Sequence, residues 1–343
     1  MTSEELSMKK ILALVVAMAM MTSFAFADST LINGAGSTFI YPAITKWFDE
    51  YSKTNAGVMF NYQSIGSGGG IKQITSKTVD FGATDGPMTM DQMTQAPGRI
   101  YHIPMVMGAV AVAYNLPGVE KGLKLSQDVL AGIYLGKITQ WNDPKITEQN
   151  PGVNLPSSSI VVVHRSDGSG TSFIFTDYLS SISSEWKGRV GKGTSVNWPI
   201  GLGGKGNEGV SGLLKQSPGT IGYVELAYAK ENNLSYAYLQ NKSGNFVEPT
   251  IDSTSQAAVG VNIPADFRFS IVNSPNPQAY PIAGITWLLI YKQMDDPVKG
   301  KAIVDFIKWA ITDGQKMTAD LDYAPLPDDL VGMIQKKLDQ VKY

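Results

Sequence analysis

Short apolar runs alternate with helix-patterned stretches along most of the chain, and the alternation resolves into strand–turn–helix units. "LINGAGSTF" (Leu31–Phe39) reads as a strand ending in a Gly-rich turn. "YPAITKWFDEYSK" (Tyr41–Lys53) is the helix behind it, with Pro42 in the first turn, where its missing N–H is not needed. "VMFNYQSIGSGGG" (Val58–Gly70) repeats the strand and Gly loop, and "IKQITSKT" (Ile71–Thr78) the helix. "VDFGATD" (Val79–Asp85) is a short strand ending on a carboxylate. "VMGAVAVAYN" (Val106–Asn115), "SIVVVHRSDGSG" (Ser159–Gly170), "GTIGYVEL" (Gly219–Leu226) and "YPIAGITWLLIYK" (Tyr280–Lys292) add four strands. In "KGKAIVDFIKWAIT" (Lys299–Thr312), Ile303, Phe306, Ile307, Ala310 and Ile311 share one helical face, with Gly314 as the stop. Strands alternating with helices predict α/β domains with largely parallel sheets. "NSPNPQAYP" (Asn273–Pro281) is the best linker candidate, and no solenoid repeat is present.

Length and composition narrow the class. A chain of 343 residues exceeds a typical single core, so two domains are expected. "MKKILALVVAMAMMTSFAFA" (Met8–Ala27) has two lysines, a short apolar run and an Ala25-Phe26-Ala27 cleavage pattern, which predict an export signal. Residues 1–27 would be removed, leaving a chain that begins at Asp28. There is no cysteine, hence no disulfide, no thiol nucleophile and no lipid-anchor site. A soluble, monomeric periplasmic protein is expected. The formal net charge of −2 argues against nucleic acid but not against a small anion, which backbone amides and helix N-termini can hold. With two histidines and no cysteine, no metal site is expected, and no cofactor.

Four loops share one chemical theme. "GAGSTF" (Gly34–Phe39), "GSGGG" (Gly66–Gly70) and "RSDGSGT" (Arg165–Thr171) each follow a strand and precede a helix, and "DFGATD" adds a carboxylate. In open α/β sheets such loops gather outside the carboxyl ends of the strands, where ligands bind. Together they would present backbone amides, the hydroxyls of Ser37, Thr38, Ser67, Ser169 and Thr171, and the Arg165 guanidinium. That is a donor-lined anion pocket. Each loop alone has a blander reading as a flexible turn or a helix cap. A serine hydrolase built on "SDGSG" would need a histidine base, and His164, beside Arg165 at a strand end, suits packing better. "IGLGGKGNEG" (Ile200–Gly209) reads as a structural turn before a helix.

"GAGSTF", "NYQSIGSGGGIKQI", "VDFGATDGPM", "IYLGKITQWNDP", "RSDGSGTSFIFTDYL", "NWPIGLGGKGNEG", "GTIGYVELAYA" and "DLDYAPLP" closely resemble, in order, the periplasmic phosphate-binding proteins of Pst-type ABC importers. The resemblance runs from about Leu31 to the C-terminus. It implies a two-lobed α/β Venus flytrap whose lobes are joined by two crossing strands, near "PMVMGAV" and "AYPIAGI". One lobe would be residues 28–105 and 281–343, the other 106–280. Motif by motif it implies phosphate contacts from Ser37, Thr38, Phe39 (through its N–H), Ser67, Asp85, Arg165, Ser169, Gly170 and Thr171, with Asp167 supporting Arg165. The implied partners are inorganic phosphate and the inner-membrane permease subunits with their cytoplasmic ATPase. Ser37 departs from the pattern, since some relatives have alanine there.

Asp85 decides which anion fits. A carboxylate facing an anion makes sense when the anion carries a proton: phosphate keeps a P–OH that can donate, whereas sulfate offers only lone pairs. Arsenate shares the proton and stays an alternative ligand; sulfate and molybdate fit less well. A phosphohydrolase on the same cradle would need a nucleophile with its base or a metal cluster, and the sequence supplies neither. A signalling or scavenging module without a permease is the remaining alternative.

Overall fold

The computed structural model describes residues 29–343, so the predicted export signal and Asp28 lie outside the described residues. The strands are β1 (Thr30–Gly36), β2 (Val58–Ser64), β3 (Phe81–Thr84), β4 (Ile100–Asn115), β5 (Lys124–Leu125), β6 (Val161–Arg165), β7 (Leu202–Gly204), β8 (Thr220–Glu225), β9 (Ser235–Tyr236), β10 (Tyr238–Gln240), β11 (Phe246–Val247) and β12 (Ala283–Tyr291). Nine of them form one sheet in the order β2-β1-β3-β12-β4-β8-β6-β7, with β9 also on β4, while β11-β10-β5 form a small second sheet. Both flanks are parallel, as the strand–helix alternation predicts: β1 with β2 and β3, β6 with β7 and β8. The middle is not. β12 is antiparallel to β3 and to β4, and β4 is antiparallel to β8.

The long strand β4 explains this architecture. Ile100–Ala109 pairs with β12 and Val110–Asn115 with β8, so one strand of 16 residues belongs to both flanks. All but its last residue are buried, and β3, β8 and β12 are buried throughout, as expected for strands covered on both faces. Edge strand β2 instead alternates between exposed and half-buried positions. A second connection runs through the 273–281 stretch, where Tyr280 is fully buried and its hydroxyl donates to the Val110 carbonyl at 3.0 Å. The expected linker is thus packed against the long strand.

Helices cover the sheet through apolar faces, the one near the C-terminus being the predicted face. Helix Tyr41–Thr54 buries Ala43, Ile44, Trp47 and Tyr51, and helix Pro297–Ala310 buries Ile303, Phe306, Ile307 and Ala310. They meet in an aromatic cluster in which Phe48 stacks on Phe60 at 4.5 Å and Phe306 lies 4.7 Å from Phe60. The second of these helices ends at Ala310 rather than Gly314, which opens a short 3-10 turn and accepts the Trp47 indole N–H at 2.9 Å.

Candidate functional site

The four polar loops converge at the carboxyl ends of β1, β3 and β6 and at the start of the helix after β2. The glycines of "GSGGG" are not only a loop: helix Ser67–Thr75 begins inside them, with Gly66 as its N-cap. Gly66 has φ +84, and a Cβ there would stand 2.3 Å from Asp167 Oδ2 and 2.7 Å from the Gly168 carbonyl. Gly68 N–H donates to the Gly168 carbonyl at 2.8 Å. Two loops about a hundred residues apart therefore meet backbone to backbone, at a spacing that side chains would prevent.

Asp85 lies at the centre, 2 % exposed. Its Oδ1 accepts the hydroxyls of Ser37 at 2.5 Å and Thr286 at 2.7 Å. Its Oδ2 faces Ser67, whose hydroxyl is 3.4 Å away, and Gly170, where a Cβ would come within 2.4 Å of that oxygen. Burial raises the Asp85 carboxyl to about 6, and the hydroxyls of Ser37 and Thr286, the Arg165 charge and Ser67 pull the other way.

The remaining hydroxyls share a bonding pattern. Thr38 Oγ1 accepts the Asn207 side-chain amide at 2.8 Å and its backbone N–H at 3.3 Å. Ser67 Oγ accepts the N–H groups of Asp85 at 3.2 Å and Gly170 at 3.1 Å. Ser169, the N-cap of helix Gly170–Ile182, accepts Ser172 N–H at 3.0 Å. Thr171 Oγ1 accepts from Arg165 Nη1 at 3.4 Å and Asn207 at 3.3 Å. In each case protein N–H groups engage the oxygen lone pairs; the O–H of Thr38, Ser169 and Thr171 is left to donate, and that of Ser67 points to Asp85 Oδ2 at 3.4 Å. Ser37 is different. It accepts Phe39 N–H at 2.9 Å and gives its proton to Asp85, so its hydroxyl works inside the protein.

Arg165 is 3 % exposed and forked onto Asp167, with Nε to Oδ1 at 2.7 Å and Nη2 to Oδ2 at 2.6 Å. Burial raises the Asp167 carboxyl, but the guanidinium and the Gly206 N–H at 3.0 Å outweigh that and hold it below its ordinary value. Ionised Asp85 and Asp167 against one Arg165 leave no net positive charge. What the cluster offers an anion is therefore donors and helix N-termini rather than excess charge. His164 stacks on Trp198 at 4.8 Å, in a packing role as its sequence context suggests.

All ten residues singled out in the sequence thus lie in or beside one buried cluster. The sequence reading missed Asn207 and Thr286. "IGLGGKGNEG" does end in a turn before a helix, Gly206–Gln216, but it also carries Asn207, fully buried against Thr38 and Thr171. An asparagine at a helix's first turn after a glycine loop was the available signal. Thr286 sits mid-strand in an apolar run, with nothing local to mark it.

Comparison with known proteins agrees with this geometry. A family model described as a PBP superfamily domain matches residues 25–314. Phosphate-binding protein PstS of Xylella fastidiosa (strain 9a5c) is 47 % identical over 310 residues, covering 90 % of this chain and 84 % of that one. Phosphate-binding protein PstS of Pasteurella multocida (strain Pm70) is 44 % identical over 326 residues, covering 94 % of each. Among solved structures, a high affinity periplasmic phosphate-binding protein bound with phosphate superposes with a TM-score of 0.70 at 20 % identity, over 89 % of this chain and 93 % of that one. The fold is that of the two-lobed α/β binding proteins, and the chain belongs to the family of PstS phosphate-binding proteins.

Proposed function

We propose that the chain binds inorganic phosphate between its two lobes and delivers it to the permease of an ABC importer. The observation that carries this is the buried cluster itself: Thr38, Ser67, Ser169 and Thr171 poised as donors around a single inward carboxylate oxygen. Phosphate fits that set because it brings acceptor oxygens for the hydroxyls and for the Arg165 N–H groups not forked onto Asp167, and one P–OH for Asp85 Oδ2. Asn207 holds Thr38 and Thr171 in place, and the N–H groups of Phe39 and Gly170, which here donate to Ser37 and Ser67, are shared with the anion when it binds. Ser37 acts on Asp85 rather than directly on the anion.

The lobes in this reading are residues 28–105 with 281–343, and residues 106–280. β4 and the segment around Ala279–Ile285 make the two crossings. Ser37–Phe39, Ser67 and Asp85 come from the first lobe, Arg165–Thr171 and Asn207 from the second. Binding then favours the closed arrangement, the form a permease would distinguish. Export to the periplasm, a monomeric state and the absence of catalysis belong to the same proposal. Among the described residues no helix is long and apolar enough to cross a membrane.

Calorimetric titration of residues 28–343, stripped of anion, tests the reading. Saturable one-to-one phosphate uptake is expected. No uptake, or hydrolysis of a phosphate monoester above background with or without divalent metal, would contradict it.

A further inference from the structure

The loop Ser37–Phe39 is held from behind by three tyrosines that none of the contacts above uses. The Ser37 carbonyl accepts the Tyr62 hydroxyl at 2.8 Å, the Thr38 carbonyl the Tyr228 hydroxyl at 2.7 Å, and the Phe39 carbonyl the Tyr323 hydroxyl at 2.6 Å. Three consecutive carbonyls are thus each met by a phenol from a different part of the chain: β2, the helix Leu226–Glu231 after β8, and the C-terminal "DLDYAPLP". Tyr228 and Tyr323 are buried, and for all three burial pushes the phenol above its ordinary range, so each is a neutral donor.

The consequence follows from the planarity of the peptide. In a trans peptide the N–H points opposite to the preceding C=O, so fixing a carbonyl fixes the next amide. Tyr62 on the Ser37 carbonyl sets the direction of Thr38 N–H. Tyr228 on the Thr38 carbonyl sets that of Phe39 N–H, which reaches Ser37 Oγ at 2.9 Å here and is the backbone donor assigned to the anion. We propose that Tyr62, Tyr228 and Tyr323 are positioning residues that aim the amides of the Ser37–Phe39 loop at the anion, and that Tyr228 in addition latches the closed arrangement.

The second part rests on the phosphate reading and its lobe boundaries. Tyr62 and Tyr323 lie in the same lobe as the loop, whereas Tyr228 reaches it from the other. The Tyr228 hydroxyl has another acceptor 3.1 Å away in its own lobe, Glu208 Oε1. One phenol proton cannot fully serve both. Closure moves it onto the Thr38 carbonyl, and opening returns it to Glu208, so the latch exchanges one bond for another and stays reversible. Opening therefore leaves no buried phenol without an acceptor. Tyr323 has Glu225 Oε2 at 3.2 Å on its other side, again across the proposed boundary.

Two readouts on the full chain separate this inference from the phosphate assignment. The first is backbone amide hydrogen exchange of residues 37–40 without added anion, for wild type, Tyr62→Phe and Tyr323→Phe, the two phenols that share a lobe with the loop. At least tenfold faster exchange there in both variants, with the rest of β1 unchanged, is expected. Exchange within twofold of wild type in both overturns the clamp, whatever phosphate does. The second is stopped-flow kinetics with inorganic phosphate. Tyr228→Phe is expected to raise the dissociation rate at least tenfold while changing association less than threefold and leaving the phosphate-to-sulfate ratio as in wild type. An unchanged dissociation rate overturns the latch. Wild type that takes up no phosphate removes both the phosphate reading and the latch, and the exchange data still decide the clamp. Should Tyr228→Phe fail to fold, Glu208→Gln serves in its place: a weaker home acceptor for the phenol should slow phosphate release, and an unchanged rate overturns the latch.

Discussion

Replacing Asp85 with asparagine reverses the direction of one hydrogen bond at the centre of the site. Two hydroxyls, Ser37 and Thr286, donate to Oδ1 at 2.5 and 2.7 Å, so the amide oxygen of the introduced side chain must take that place. Its NH2 then replaces Oδ2, beside Ser67 and Gly170, and an acceptor for the anion's proton becomes a donor to the anion's oxygen. In wild type, phosphate gains a charge-assisted bond worth about 1.5–3 kcal/mol, and sulfate meets an unpaired buried acceptor at a cost of about 1–3 kcal/mol or more. The difference is at least about 2.5 kcal/mol, which approaches 10²-fold in relative affinity. In Asp85→Asn both contributions vanish, because sulfate now finds a donor and phosphate only a neutral partner. Competitive calorimetry at pH 8, where phosphate is the dianion, measures the ratio directly. It should reach roughly 10² in wild type and fall at least tenfold in the variant. A ratio that stays within threefold of wild type would refute the role given to Asp85.

Three other outcomes follow from the same geometry. Burial raises Asp85 to about 6 in the folded protein from its ordinary 3.8, so its contribution to stability is full below about pH 4 and is lost as pH rises through 6. By urea unfolding without anion, wild type should therefore lose about 3 kcal/mol relative to Asp85→Asn across that window. Protonation below pH 6 should also relax the preference for phosphate over sulfate in wild type and leave the variant's unchanged. Arg165→Lys keeps the charge but cannot fork onto Asp167, so phosphate and sulfate should both weaken by about 2 kcal/mol, roughly 30-fold, at a constant ratio. A ratio that changes with this substitution would move discrimination away from Asp85. Gly66→Ala forces a side chain to φ +84 and against Asp167, so phosphate should bind at least tenfold more weakly by calorimetry, with wild-type affinity counting against direct loop-to-loop contact.

Local chemistry made much of this legible in the sequence. Glycine, serine and threonine after an apolar run have few uses other than turns, caps and donors, and six such residues fall in one cluster with Phe39, Asp85, Arg165 and Asp167. The strand-forming runs were equally plain, because buried strands need continuous apolar side chains. What stayed hidden depends on distant parts of the chain. β4 is longer than its apolar run "VMGAVAVAYN" because "IYHIPM" before it carries His102 and Pro104, which break the pattern. His102 is nonetheless buried, with Nε2 accepting Met88 N–H at 3.0 Å. The antiparallel centre of the sheet is set by where β12 returns, which no local periodicity encodes. Helix Ser67–Thr75 starts among glycines, poor helix formers that succeed here because close approach to Gly168 and to Gly36 requires them. Asn207, Thr286 and Tyr228 act through partners up to about two hundred residues away, and only the folded chain brings those partners together.

The most direct test is a crystal structure of the phosphate complex, read at one distance: Asp85 Oδ2 to the nearest phosphate oxygen. A charge-assisted O–H···O bond gives about 2.5–2.7 Å, with Thr38, Ser67, Arg165 and Thr171 around the same anion. Phosphate found elsewhere, or with no oxygen within about 3.2 Å of that carboxylate, contradicts the account.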